Sequence, residues 1–174
     1  MPTIEPLFSA EQIAERVQQI GAQIRSEVGE GEITLVCVLR GSVLFTADLC
    51  RAITGPVRLE FLGVSSYRGT ISTGTVRITH DLSVPLEGRD VVIVEDIVDT
   101  GLTLDFLHRT LKARHPKSLR TVALLDKPSR RRVEVPVEWI GFEIPDHFVI
   151  GYGLDLDQQY RNLPMVGIYH PDAP

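Results

Sequence analysis

Cysteine is scarce in this chain: Cys37 and Cys50 are the only two in 174 residues. One sits inside an apolar strand-like run and the other near a helix end, so both read as unpaired core thiols rather than a disulfide or a metal site. A reducing cytoplasm fits them. Long apolar runs are missing as well. None approaches the roughly 20 residues that a bilayer span requires, and the opening MPTIEPLFSAEQ has neither the basic nor the apolar region of a secretory signal. The expectation is a soluble cytoplasmic protein with no membrane partner. Positive charge is in deficit, with 18 Lys and Arg against 23 Asp and Glu for a formal charge of -5. That balance argues against a surface built to coat nucleic acid. Repeats and low-complexity tracts are absent, and the length suits one domain with a sizeable core.

What is present is an alternation of strand-like and helix-like runs. Ser9 and Gln12 form a capping-box pair ahead of Ile13, Val17, Ile20 and Ile24 at helical spacing. Ile33 to Leu39 reads as a buried strand, then Arg40-Gly41-Ser42 leads into a second amphipathic run through Leu44, Phe45, Leu49 and Ile53. As a bare motif RGS is also an ordinary turn; its place after the first core strand raises it. A third strand, Val57 to Val64, precedes a long polar stretch from Ser65 to Gly74, of the kind used for lids over sites.

The most informative stretch is Val91 to Leu104, VVIVEDIVDTGLTL. Val91 to Val94 form a buried strand, which is expected to stop at Glu95 and Asp96; Asp99 follows, and Thr100-Gly101-Leu102-Thr103 opens a helix. A helix N-terminus presents unpaired N–H groups and the positive end of the dipole, and Gly101 lets an anion come close. Carboxylates repel phosphate but suit sugar hydroxyls and a divalent cation. A phosphorylated sugar satisfies both halves. Acids also favour helix starts for their own sake, so it is the strand before and the helix after that carry this reading. Leu119 to Leu125 makes the next strand and ends at Asp126-Lys127-Pro128, putting Lys127 at a carboxyl end where open α/β sheets bind ligands. Ser129 to Arg132 is the densest basic run, read as solvated surface or subunit contact.

Together these stretches resemble the type I phosphoribosyltransferases, and EDIVDTGLTL resembles their hypoxanthine-guanine branch. The resemblance covers nearly the whole chain in order: RGS, SSYRGT, EDIVDTGLTL, LLDKP, FVIGYGLD and Arg161. It implies an α/β fold of one domain over 1-174. A parallel sheet of about five strands flanked by helices would form a core over about 1-128, with a small hood mainly from about 129-174. The implied reaction is purine salvage: Mg2+-dependent transfer of the 5-phosphoribosyl group from 5-phosphoribosyl-1-pyrophosphate (PRPP) to hypoxanthine or guanine, giving IMP or GMP and pyrophosphate.

Residue roles follow from the same resemblance. Ile97, Asp99, Thr100, Gly101 and Thr103 would line the 5-phosphate loop, and Arg40, Gly41 and Arg161 would contact pyrophosphate. Ser66 and Tyr67 would close over the site. Glu95 and Asp96 would hold the ribose hydroxyls and the metal, Asp155 would accept from the purine or hold the metal, and Asp99 would take or share the N7 proton of the base. Lys127 would donate to the 6-oxo group, Phe148 would lie against the purine, and Val149 would meet its polar edge through the backbone. A homodimer or homotetramer is implied. A xanthine-preferring enzyme and a PRPP-sensing regulatory RNA-binding relative are the alternatives.

Overall fold

A computed structural model describes residues 2–66 and 76–171. Tyr67 lies outside the described residues, as does the side chain of Ser66.

Ser9 caps helix α1 (Ala10–Val28) through the expected reciprocal box with Gln12, and the apolar stripe of Ile13, Val17, Ile20 and Ile24 is buried. Strand β2 (Ile33–Leu39) lies at the centre of a six-stranded sheet, its residues inaccessible on both faces. Helix α2 (Val43–Ala52) follows, with Phe45 and Leu49 as its core contacts. Strands β3 (Val57–Ser66) and β4 (Val76–His80) form an antiparallel edge. Strand β5 (Asp90–Val98), helix α3 (Leu102–Lys112), strand β6 (Ser118–Asp126) and strand β7 (Trp139–Glu143) complete the unit.

The sheet order is β4-β3-β2-β5-β6-β7, parallel except for β4. After β2 the chain moves outward to β3 on one side, and later returns to β5 on the other. The carboxyl ends of β2 and β5 therefore flank a topological switch point, where open α/β sheets form their ligand crevice. One difference from the expected reading matters here. Strand β5 does not stop at Glu95: pairing continues from Glu95 with Ala123 to Val98 with Asp126, so the acids stand on the strand rather than on a loop.

A second sheet, β1-β9-β8, joins Thr3–Phe8, Val166–His170 and Val149–Ile150 in antiparallel register. The small hood thus recruits the amino-terminal strand, and β7 belongs to the large sheet, so the expected division near residue 128 is crossed in both directions. Phe8 stacks on Phe142 at 4.0 Å, joining the sheets, and Tyr152 donates from its hydroxyl to Asp48 on α2. Arg16 donates to the carbonyls of Ile140 and Gly141, covering the exposed edge of β7.

Helices α1 and α2 meet through Gly21, where a Cβ would lie 2.8 Å from the backbone carbon and oxygen of Ala52. Alanine improves helix propensity by about 1 kcal/mol over glycine, but backbone atoms cannot turn aside and the helices must separate. Overpacking of this kind costs about 1–3 kcal/mol. Gly21→Ala is therefore expected to lower the urea midpoint at an unchanged m-value; a raised midpoint would mean that propensity wins and the contact is softer than it looks.

Candidate active site

The site is assembled by a close approach of three backbone segments. At the turn after β2, a Cβ on Gly41 would fall 1.6 Å from Asp96 Oδ2. On the other side, Gly153 has φ of +98°, and a Cβ there would fall 2.1 Å from the Gly41 carbonyl oxygen. Only glycine fits either position. The Arg40 turn is thereby wedged between the end of β5 and the hood segment that carries Asp155.

Of the two acids on β5, Glu95 is buried and Asp96 partly buried. Burial pushes the Glu95 carboxyl well above the usual carboxylate range, with the Asp96 charge acting in the same direction. Burial also raises Asp96, to about 6, against the opposing hydrogen bonds from backbone N–H groups and the nearby Arg161; the Asp155 charge adds to the rise. Asp96 Oδ1 accepts from the Ile97 N–H at 2.7 Å, which fixes its rotamer.

Beyond the acids the chain turns into α3 through Gly101, which has φ of 86° and no side-chain cap. Ile97, Asp99, Thr100, Gly101 and Thr103 line a small cup of about 80 Å³. The first N–H groups of an uncapped helix have no intrahelical partner, so the cup suits an anion. A larger cleft of about 300 Å³ shares Glu95, Ile97 and Thr103 with it and is bounded by Arg40, Gly41, Asp96, Asp155 and Arg161. Arg161 ties this side together, donating to the Gly153 carbonyl at 2.6 Å and pairing with Asp155 at 2.9 Å. The Gln158 amide oxygen accepts from both Arg40, at 3.3 Å, and Arg161, at 3.1 Å.

Lys127 stands at the end of β6, almost buried, with its ammonium 3.3 Å from Asp146. Asp99 accepts from Arg130 Nε at 3.0 Å, and Arg130 also reaches Asp146 at 3.4 Å. Phe148 is 52% exposed and edge-on to Tyr169, an open aromatic face beside the crevice, whereas Val149 is held in β8 by pairing with Ile168.

The structure thus gathers Arg40, Gly41, Glu95, Asp96, Ile97, Asp155 and Arg161 around one cleft and Asp99, Thr100, Gly101 and Thr103 around the adjoining cup. Glu95, Asp96 and Asp155 border the same cleft, although among the described residues no three His, Cys, Asp or Glu side chains converge closely enough to hold a metal ion by themselves. The basic run is exposed at Ser129, Arg130 and Arg132, as its charge suggests, but Arg131 is turned inward. Arg131 pairs with Asp126 and donates to the Asp99 carbonyl, and the N–H of Arg132 bonds the Thr100 carbonyl. Asp146, Arg130 and Gln158 carried no periodic or motif signal; the one clue to Arg130 was its position just past Lys127.

A cup for one phosphate, sharing a wall with an acid-and-arginine cleft at the switch point of a parallel sheet, defines a protein that handles a phosphorylated sugar. A family model for the phosphoribosyl transferase domain matches residues 4–157, and the chain belongs to that family. It is 49% identical to the hypoxanthine phosphoribosyltransferase of Haemophilus influenzae over 94% of each chain. It is 47% identical to the hypoxanthine-guanine phosphoribosyltransferase of Mycobacterium avium, covering 95% of this chain and 85% of that one. The fold is similar to that of the Trypanosoma cruzi hypoxanthine phosphoribosyltransferase in complex with the product IMP, with a TM-score of 0.89 and 44% identity over 96% of this chain and 94% of that one.

The raised proton affinity of Asp96 gives a signed expectation. The folded protein holds this proton to about pH 6, whereas the unfolded chain releases it near 4, so the carboxylate opposes folding increasingly as the pH rises through that window. The opposition is complete above it and amounts to on the order of 2 kcal/mol after allowance for partial exposure. Asp96→Asn should therefore raise the thermal midpoint of the protein without added ligand at pH 7.5, yet leave it nearly unchanged at pH 4. Calorimetry across that range decides it; equal effects at both pH values would show that the carboxylate is not strained by burial.

Proposed function

We propose that this chain transfers the 5-phosphoribosyl group of PRPP to N9 of hypoxanthine or guanine, yielding IMP or GMP and pyrophosphate, as a purine-salvage enzyme. The observation that carries the reading is the anion cup at α3 sharing Glu95 with the cleft, together with the ion pairs that link Asp99 to Lys127 through Arg130 and Asp146, two residues before the exposed Phe148.

The residues divide the work by chemistry. The α3 N–H groups and the hydroxyls of Thr100 and Thr103 bind the 5-phosphate. Glu95 and Asp96 accept from the ribose hydroxyls and hold the ring. Cleavage of the C1–O bond sends negative charge onto the departing pyrophosphate, where the Arg40 turn and Arg161 meet it. Phe148 covers one face of the purine, the Val149 backbone serves its polar edge, and Lys127 donates to O6. An amino group at that position would leave the ammonium without an acceptor, which selects against adenine. As N9 bonds to C1, Asp99 accepts the N7 proton, so the base needs no positive charge in the product. From their place after β3, Ser66 and Tyr67 are proposed to keep water from the reacting carbon.

The desolvated acids beside the cleft fit a cation. Mg2+ prefers to keep waters and substrate oxygens among its ligands, so a few acids at one side of the cleft suffice to place it. Glu95, Asp96 and Asp155 would hold the ion through substrate and water, and its chemistry would be neutralisation of pyrophosphate charge. The exposed Val43, Leu44, Leu59 and Phe61 support a homodimer or homotetramer. The proposed compartment is the cytoplasm; among the described residues no helix is long and apolar enough to cross a membrane.

Assay of purified protein with Mg2+ and PRPP against hypoxanthine, guanine, xanthine, adenine and uracil tests the reading, with turnover expected for 6-oxopurines alone. Asp99→Asn should lower kcat by about 100-fold or more while PRPP binding survives. Uracil turnover, or parallel loss of PRPP affinity in that variant, would count against the assignment.

A further inference from the structure

The cleft and cup leave one arrangement beside them unused. Four charged side chains form a continuous chain: Asp99 to Arg130 at 3.0 Å, Arg130 to Asp146 at 3.4 Å, and Asp146 to Lys127 at 3.3 Å. We propose that Arg130 and Asp146 are positioning residues that set the spacing of Asp99 and Lys127 to the adjoining N7 and O6 atoms of a 6-oxopurine. The proposal rests on the reading above that Asp99 and Lys127 meet that edge of the base.

Stability does not explain the chain. Arg130, Asp99 and Asp146 side chains are 45%, 43% and 50% exposed, and exposed ion pairs contribute little to folding. Lys127 is the exception, with its side chain only 10% exposed. A nearly buried ammonium requires a counter-charge, and Asp146 supplies it. The terminal groups nevertheless keep capacity for a ligand. An ammonium has three donors, so Lys127 can hold Asp146 and a base carbonyl together. Among the described residues Asp99 is engaged by Arg130 through Oδ1, and a carboxylate has a second oxygen to offer.

The backbone makes the chain short and stiff. Pro128–Arg130 is a single 3-10 turn, and the Arg130 N–H bonds the Lys127 carbonyl at 3.0 Å, so the guanidinium and the ammonium start from one rigid unit. Asp146 sits two residues before Phe148, tying the same unit to the aromatic face. A fork-shaped guanidinium can bind two carboxylates at fixed angles, which a flexible ammonium cannot reproduce fully. Hypoxanthine and guanine present the same O6 and N7 atoms and differ at C2, away from this edge. Disturbing the chain should therefore weaken both bases alike.

Steady-state kinetics test this. Arg130→Met and Asp146→Asn are each expected to raise KM for hypoxanthine and for guanine by about tenfold, with KM for PRPP unchanged. Arg130→Lys should recover part of the loss, and the double variant should cost little more than the worse single change, since both break one chain. A PRPP effect as large as the base effect, a shifted hypoxanthine-to-guanine ratio, or strict additivity would overturn the proposal. Asp99→Asn and Lys127→Ala separate the two levels of inference. If they abolish base use while Arg130→Met and Asp146→Asn behave as the parent protein, only the positioning role fails. If they too leave base use intact, the assignment of the base site fails.

Discussion

Two adjacent carboxylates at the end of strand β5, Glu95 buried and Asp96 partly so, are the constraint around which this protein is built. Glu95 and Asp96 continue β5 beyond its apolar part, still paired to β6, and burial raises the proton affinity of both. A fold optimised for stability alone would place such groups in solvent. Here the sheet ends in them, and nearby groups limit the cost: the Ile97 N–H, and Arg161 brought in from the hood. On the proposed function, the energy withheld from folding would be recovered when hydroxyl donors and cationic charge enter the crevice, because a preorganised, poorly hydrated acceptor interacts more strongly than one in water.

The same constraint explains the glycines. For Arg161 to act on Asp96, the hood must come down onto the turn after β2, and that turn must lie against the acid. Gly41 and Gly153 permit both approaches, since a single methyl at either would meet a carboxylate or a carbonyl head-on. The hood is held there by Phe8 on Phe142 and by Tyr152 on Asp48. Burial and the Asp48 hydrogen bond push the Tyr152 hydroxyl upward in proton affinity, so the strut stays a donor throughout the physiological range.

Local chemistry was legible in the sequence, and contacts between distant segments were not. The capping box at Ser9, the doubly buried β2 and the helix opened by Gly101 are written in neighbouring residues and survive intact. Strand β5 overran its expected end because pairing with β6 outweighs the polar signal of two acids. Thr3–Phe8 gave no signal because its partner, β9, lies at the other end of the chain. His108 on α3 is likewise held by a contact with β6 that its spacing does not mark: it is half-buried, its ring 2.7 Å from the Thr121 hydroxyl, and burial lowers its proton affinity. The motifs marked residues that line the cleft and the cup, whereas Arg130, Asp146 and Gln158 bond to other side chains around them, and nothing in their spacing marks that.

Charge around the crevice follows a consistent division. The buried polar groups differ in place: Glu95 borders both the cup and the cleft, and Lys127 stands just past β6 with Asp146 as its counter-charge. Exposed charges, Arg130, Asp146 and Gln158's partner Arg40, make bonds too weak to matter for folding. Their geometry is directional: Arg130 and Asp146 link Asp99 to Lys127, and Gln158 links Arg40 to Arg161. The Gln158 amide oxygen illustrates the point, since a neutral acceptor can gather Arg40 and Arg161 without neutralising either. A carboxylate there would bind the two arginines more tightly and compete with pyrophosphate for them. The neutral amide orients them and leaves their charge for the anion.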